Sequence, residues 1–342
     1  MTMLAGRALA QAADTPARIS FQIATGSTTG AYFPIGALLA QVLSHPPGVG
    51  RCEAANACGP SGLIVSTRAS QGSVANVLSV NGGMVTSGLA QTDVVSLAVV
   101  GQGPFRKAGP AKELRVIANL YGEDLHLIAA KKAKIKSVAD LRGKRVSIGS
   151  ENSGTIVTTR AVLTAFRLTE KSFSPNYDSA ERAIDLLQSG KIDAMFFVGG
   201  VPVGLVQQAL DDGGAELVPI DGDGLKRLLA REPSLSAHAI PKGTYANAPE
   251  VQTVSVDALW ITDSAEPDPV VYGMLKALYN PANRASLQAG RQGTHFLELA
   301  SGAKDGSAPL HPGAVKFFTE TGVLKAVQQK AALQVPSQPK RS

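Results

Sequence analysis

The sequence predicts an α/β protein of two lobes with a ligand cleft between them, and three observations carry that expectation. Short apolar segments of strand type alternate with amphipathic helical segments along the chain, which is the α/β pattern. The alternation runs twice, around two connecting stretches near residues 121–126 and 253–260. At 342 residues, with 44% hydrophobic and 18% charged side chains, the chain has the length for two cores and the composition of a globular protein.

Taken in order, RISFQIAT reads as a strand that feeds the helix YFPIGALLAQVLS. EAANACGPSGLIVSTRAS holds the second strand, and SVANVLSVNGG is a short helix stopped by Gly82-Gly83, because glycine accepts the left-handed backbone that ends helices. SGLAQTD is a third strand with a polar tip; LRVIANL and LHLIAAK follow as two strands interrupted by YGED. In the second half, KSVADLRGKRVSIGS is a helical turn and a strand, and SGTIVTTRAVLTAFRL is a helix. SAERAIDLLQSGKIDAMFFVGG is a helix with a buried strand, and VPVGLVQQALDDGG is a helix with C-terminal glycines. After AELVPID and the polar run REPSLSAHAIPKGTYANAPE comes the strand VQTVSVDALWIT. Helices from DPVVYGMLKALYN to GAVKFFTETG then return to pack on the first lobe. The division expected is lobe I from 18–123 and 258–325 and lobe II from 124–257, with residues 1–17 a signal remnant or disordered and a disordered tail over 326–342.

The net charge of +6 comes without a dense Lys/Arg stripe, so nucleic acid is not an expected partner. No stretch approaches the ~20 consecutive apolar residues of a membrane-spanning helix. Ala10-Gln11-Ala12 has the small-x-small form of a secretory cleavage site without a full charged and apolar leader before it, and the mature start is expected near Ala13. The two cysteines, Cys52 and Cys58, close a small loop if bonded, and with no histidine nearby they make a poor metal site. A disulfide needs an oxidising compartment; two free thiols in a surface loop are the alternative. Leader remnant and cysteine pair together point to the periplasm.

Four loops leave or approach a strand and open a helix with small polar residues: Thr25-Gly26-Ser27-Thr28-Thr29-Gly30, Gln71-Gly72-Ser73, Asn152-Ser153-Gly154-Thr155 and Gly199-Gly200-Val201-Pro202. Ser73 and Ser153 are expected as N-caps and Pro202 near a first turn. The first loop lacks the lysine of a mononucleotide P-loop and the spacing of a dinucleotide fingerprint. Any one of the four reads equally as a turn or a cap. Together they predict a shared anion site, since helix N-termini present free N–H groups and a partial positive charge. Tyr32, Phe33, Tyr121 and Phe197 are expected as its apolar wall, with core packing the other reading for Phe33 and Phe197. Arg106, Arg115 and Arg160 are expected at the surface, and the adjacent Glu123 and Asp124 either bind a ligand amine or solvate a turn. His45, His126, His238, His295 and His311 are scattered, with no metal spacing and no nucleophile motif, so no catalytic residue, metal or cofactor is expected.

The segments ATGSTTGAYFPIG, STRASQGSVANVLSVNGG, LAQTD, LYGEDLHLIA, VADLRGKRVSIGSENSGT, GKIDAMFFVGGVP and TVSVDALWIT, in that order, resemble the TAXI family of solute-binding proteins that serve TRAP transporters, over residues 18–320. The resemblance implies a type II periplasmic binding-protein fold with two hinge strands, a monomer, and a binding rather than an enzymatic role. It implies capture of a small carboxylate-bearing solute, such as glutamate, glutamine or a related organic acid, and its delivery to integral-membrane permease subunits on other chains. The family's first loop matches Gly26 to Tyr32, its G-S-x-x-N segment Gly72 to Asn76, its Q-x-D Gln91 to Asp93, and its S-G-T Ser153 to Thr155; the stretch from Cys52 to Cys58 departs from it. The cage expected from this match has Ser27 and Thr28 as donors and Tyr32 as wall and hydrogen-bond partner, with Gly26 and Gly30 shaping the loop. Gly72, Ser73, Asn76, Gln91, Tyr121, Glu123, Ser153, Gly154, Thr155 and Phe197 complete it, Gly200 allows close backbone approach, and Pro202 follows. An amino acid, a dicarboxylate and a keto acid all satisfy such a cage, and a receptor-docking sensor or an enzyme on the same fold remain alternatives.

Overall fold

Two long antiparallel strands run through the whole molecule and carry one ten-stranded sheet, in a computed structural model that describes residues 17–326 except positions 51, 53, 247, 291 and 305. The first half contains β1 (Ile19–Ala24), α1 (Tyr32–Leu43), β2 (Leu63–Arg68), α2 (Ser73–Asn81), β3 (Ser87–Gln91) and α3 (Thr92–Val99). The long β4 (Leu114–Ala130) leads to β5 (Arg145–Ser147), α4 (Gly154–Ala165), β6 (Ser174–Asn176), α5 (Ala180–Gln188), β7 (Ala194–Gly199), α6 (Gly204–Asp211), β8 (Ala215–Leu217), α7 (Gly222–Arg231) and β9 (Ser236–Ile240). The second long strand, β10 (Val251–Asp263), returns the chain to α8 (Asp268–Leu278), α9 (Arg284–Gln288) and α10 (Pro312–Glu320).

The strand order is β2-β1-β3-β10-β4-β7-β5-β6, with β8 also on β4 and β9 on β10. β1 pairs β2 and β3 in parallel, and β5 pairs β6 and β7 in parallel, so each half repeats a parallel α/β unit. β4 pairs β10 from Leu114 to Asp124 and pairs β7 from Asp124 to Ala129, so Asp124 is where its partner changes. β10 pairs β9 up to Ser255 and β3 from Ala258.

The apolar groups follow the same division. Phe21, Leu39, Trp260, Met274 and Phe318 share one cluster, which puts α8 and α10 back on the first half as expected. Trp260 stands edge-on to Phe21 and donates its indole N–H to Ser87 Oγ at 3.0 Å, so the largest buried ring also has its polar group satisfied. In the second half, Leu125, Ile156, Phe196 and Val254 form a cluster on one face of the sheet, and Ile128, Ile184, Met195 and Val206 form another.

Four expectations are corrected. YGED does not interrupt a strand: Tyr121, Gly122, Glu123 and Asp124 pair with Ala258, Asp257, Val256 and Ser255, and this ladder overrides their turn-like composition. The polar tip after SGLAQ opens α3, and the polar run after residue 230 contains β9, which is held by pairing with β10 rather than by its own propensity. Cys52 and Cys58 are joined by a disulfide with Cα atoms 5.9 Å apart, but a histidine is near after all: a nitrogen of His45 and both sulfurs lie within 4.8 Å of one another. Hydrogen bonds from His45 N to Leu63 O and from Gly62 N to His45 O, at 2.7 and 2.8 Å, fold the loop back and bring them together. The leader, the start near Ala13 and the end of the tail lie outside the described residues. Among the described residues no helix is long and apolar enough to cross a membrane.

Candidate functional site

A cavity of about 350 Å³ lies where the starts of α1, α2, α4 and α5 converge, two from each half of the chain. α1 and α2 follow the parallel strands β1 and β2, and α4 and α5 follow β5 and β6, so the sheet brings the ends of four parallel strands to one crevice. Ser153 caps α4 by accepting from Ile156 N at 3.3 Å, and Ser179 caps α5 by accepting from Arg182 N at 3.4 Å. Gly72 stands before α2 at φ +110°, where a side chain is strained, and a Cβ there would lie 3.4 Å from Ser153 Cα of the opposite half.

Three of the four loops singled out in the sequence line this cavity, contributing Gly26, Ser27, Gly30, Tyr32, Gly72, Ser73, Ser153, Gly154 and Thr155; Phe197, from β7, lines it too. The fourth does not. Pro202 lies before α6, whose cap is Val203, rather than in its first turn. Gly200 does allow close approach, but to other parts of the chain: a Cβ there would stand 3.1 Å from Gly293 N and 3.0 Å from the Tyr121 ring. The place of that loop is taken by Tyr177, Asp178, Ser179, Ala180 and Glu181 at the start of α5. Ser70, Gln71, Ser147, Gly149 and Ser150 complete the polar wall, with Ala31, Phe196 and Val198 beside it. Sequence reasoning missed the α5 contribution, although Ser179 before an amphipathic run is the same capping signal that marked Ser153.

Several expected donors are already engaged. Ser27 and Thr29 both donate to Oε1 of Glu181 across the cavity, and Thr28 is exposed and does not line it. Ser73 is the first residue of α2 rather than its cap; its Oγ accepts from Gln91 N at 3.1 Å and lies 3.4 Å from Tyr32 OH. Asn76 is buried in the first half, where its amide donates to Thr25 O and Leu89 O, so its role is to tie strands together. Gln91 reaches across the seam and donates to Thr158 Oγ1 at 2.8 Å, and Thr158 donates to Asp93 Oδ2 at 2.6 Å. Asp93 also accepts from Val94 N at 2.8 Å; burial outweighs these donors and pushes its carboxyl up to about 6.

Beneath the cavity, Tyr32 OH donates to Glu123 Oε2 at 2.8 Å. Glu123 is 1% exposed; burial pushes its carboxyl up to about 8, Tyr32 opposes that, and Asp93, Asp257 and Asp124 add to it. Glu123 and Asp124 therefore do not solvate a turn, and Asp124 faces His238 Nδ1 at 2.9 Å. Tyr121 is fully buried in β4, off the cavity, and its hydroxyl has no partner among the described residues. His126 packs as a buried neutral ring against Tyr245 OH at 2.8 Å, with burial holding it down to about 4. Arg106 is exposed, Arg115 pairs with Glu113 and Arg160 with Glu170; none lines the cavity.

Arrangement and charge define what the cavity can do. It offers helix starts, hydroxyls and amides and two carboxylates in Asp178 and Glu181, and among the described residues no lysine or arginine lines it. Its volume is at the small end of the about 300–1,000 Å³ range of ligand sites.

Residues 23–322 match the model of the NMT1-like family. The chain is similar in structure to the periplasmic binding protein BugD, at 12% identity over 93% of this chain and 97% of that one, with a TM-score of 0.53. It is also similar to MatC from Rhodopseudomonas palustris with bound malate, at 12% identity over 91% and 97% and a TM-score of 0.50, and to a periplasmic transporter at 11% over 92% and 97% and 0.50. At these identities the likenesses show the fold, a two-lobe α/β fold of the periplasmic binding-protein kind. The family model runs from β1 to just beyond α10 and takes in every helix and strand lining the cavity: the chain belongs to the NMT1-like family.

Proposed function

We propose that the protein is a periplasmic solute-binding protein of a TAXI-type TRAP transporter. It captures a small carboxylate-bearing solute, such as glutamate, glutamine or a related organic acid, and hands it to integral-membrane permease subunits. The observation that carries this reading is the convergence of four helix starts, two from each half, on one cavity. The Cys52–Cys58 disulfide supports an oxidising compartment.

In this reading lobe I is 18–123 and 258–325 and lobe II is 124–257, a division supported by the separate apolar clusters. β4 and β10 act as the hinge where their partners change, near Asp124 and between Ser255 and Ala258. A solute carboxylate settles on the free N–H groups at the starts of α2 and α4. Closure then brings Gln71 to Asn152 and Ala75 N to Asn152 O, contacts of 2.7 and 3.1 Å that the solute stabilises by binding the closed form better than the open one. The test is a thermal-shift and scattering screen with amino acids, dicarboxylates and keto acids. A bound solute at a hundredfold excess over its Kd raises stability by about 2.7 kcal/mol, and scattering shows compaction. A screen in which no acid shifts the melting temperature overturns the reading.

A further inference from the structure

The charge balance of the cavity narrows which carboxylate-bearing solutes it accepts, an inference that rests on the solute-binding reading above. Each helix N-terminus presents about half an elementary charge, so α1, α2, α4 and α5 together present about two. Against them stand Asp178 and Glu181, and among the described residues no cation lines the cavity. Arg182, next to Glu181 in the chain, is directed instead to Asp185 at 3.9 Å. The protein's own carboxylates therefore already offset the helix ends.

The two acids are not equivalent. Asp178 is turned to its own lobe, where Asn176 Nδ2 donates to it at 2.7 Å. Glu181 is held from across the cavity by Ser27 and Thr29, and both hydroxyls reach the same oxygen, Oε1. Its second oxygen keeps acceptor capacity for a donor carried by the solute. Burial raises its carboxyl, but hydrogen bonds from Ser27, Thr29, its own backbone N–H and Ser179 together outweigh burial and hold it below the usual range, so it is an anion at neutral pH. Glu123, under Tyr32, is largely protonated there and adds little charge.

We propose that Glu181 is the specificity-determining residue of the site, selecting solutes of zero net charge, one carboxylate balanced by an ammonium group, and rejecting dicarboxylates. The solute carboxylate lies at the Ser73 and Ser153 side, and its ammonium donates to Glu181. A second carboxylate placed there meets a like charge, with no cation among the described lining residues to relieve it.

Calorimetry on the full chain with L-glutamine, L-glutamate and 2-oxoglutarate tests this, because the three differ in net charge and amine at one size. Wild type binds glutamine at least about tenfold more tightly than glutamate, and 2-oxoglutarate most weakly. Glu181→Gln narrows the glutamine-to-oxoglutarate ratio by about tenfold, chiefly by strengthening the dicarboxylates, and Asp178→Asn narrows it less. Wild type that binds 2-oxoglutarate as well as glutamine overturns the inference and leaves the solute-binding reading standing. So does a ratio unmoved in Glu181→Gln, or moved more by Asp178→Asn. Failure of all three solutes, together with a silent acid screen, removes both.

Discussion

Two cavities of nearly equal volume, about 350 and 340 Å³, lie on either side of the hydrogen bonds that join Gln91, Thr158 and Asp93, and they differ in what walls them. The front cavity is walled by serines, glycines and four helix starts. The rear one is walled mainly by Leu97, Val157, Ala161, Leu228 and Leu235, with Arg160, Arg231 and Glu232 among its lining. α4 serves both: Gly154 and Thr155 at its start face the front, while Val157, Arg160, Ala161 and Thr164, three and four apart, face the rear. Size does not separate the two; the direction of unpaired backbone N–H groups does.

The largest test of the comparison uses its two buried carboxyls. Asp93, at the rear, accepts from Thr158, Val94 N and Gln91, whereas Glu123, under the front cavity, has one side-chain donor, Tyr32. Both are raised, so the native state holds protons that the unfolded chain has released, and stability falls as pH rises from the ordinary carboxylate range to the native value. For Asp93 that window closes at about 6, and for Glu123 at about 8. His126 acts oppositely: held down to about 4, it makes stability rise with pH up to about 6.5, its ordinary value. Between pH 6.5 and 8 the Glu123 effect therefore stands apart, and denaturant titrations show wild type losing on the order of 2 kcal/mol that Glu123→Gln does not lose. Parallel slopes in the two proteins would mean that Glu123 is charged in the native state and better paired than its contacts indicate.

Next in size is Gly154→Ala, which acts on the seam itself. A Cβ at Gly154 would overlap the Gln91 amide and stand 2.6 Å from Ser73 Oγ, so the two halves cannot pack across the seam as they do here. Solute affinity falls by about tenfold or more by calorimetry, while the circular dichroism spectrum is unchanged. Affinity within twofold of wild type would mean that closure over α4 does not hold the solute.

Much of this was legible in the sequence, and the reasons differ by element. β1, α1, β2, α2, α4 and α5 were readable because periodicity and flanking Gly, Ser and Pro act within a few residues. YGED was misread because its strand geometry comes from β10, more than 130 residues later. At the site, Gly199-Gly200-Val201-Pro202 has the composition of a ligand loop, but Gly293 N donates to Val201 O at 2.8 Å and ties it to another loop. Glu181 was not singled out, because its partners Ser27 and Thr29 lie more than 150 positions away and only the fold brings them together. Local signals found the helix starts; which of them share a cavity is a property of the sheet.

The rear of the seam is expected to respond differently. Thr158→Val removes a donor to Asp93 and the acceptor of Gln91 Nε2, leaving two buried polar groups short of a partner. The expected cost is about 1–3 kcal/mol of stability, with the order of preference among solutes unchanged, since Thr158 does not line the front cavity. A variant that keeps its melting temperature but reorders its solutes would reverse the roles assigned to the two faces.

The smallest effect discriminates most finely. Ser153→Ala removes the cap of α4, a loss of about 1 kcal/mol in the free protein by denaturant titration. The N–H group that Ser153 satisfies, that of Ile156, belongs to the same helix start on which the solute carboxylate settles. A bound carboxylate can take over that N–H, so the deficit of Ser153→Ala shrinks when the titration is repeated with saturating solute. Ser179→Ala, at the start of α5 beside Glu181, removes an equivalent cap where the carboxylate does not sit, and its deficit stays the same with and without solute. The opposite pattern, relief at Ser179 and none at Ser153, would place the carboxylate at α5 and turn the solute end for end in the front cavity.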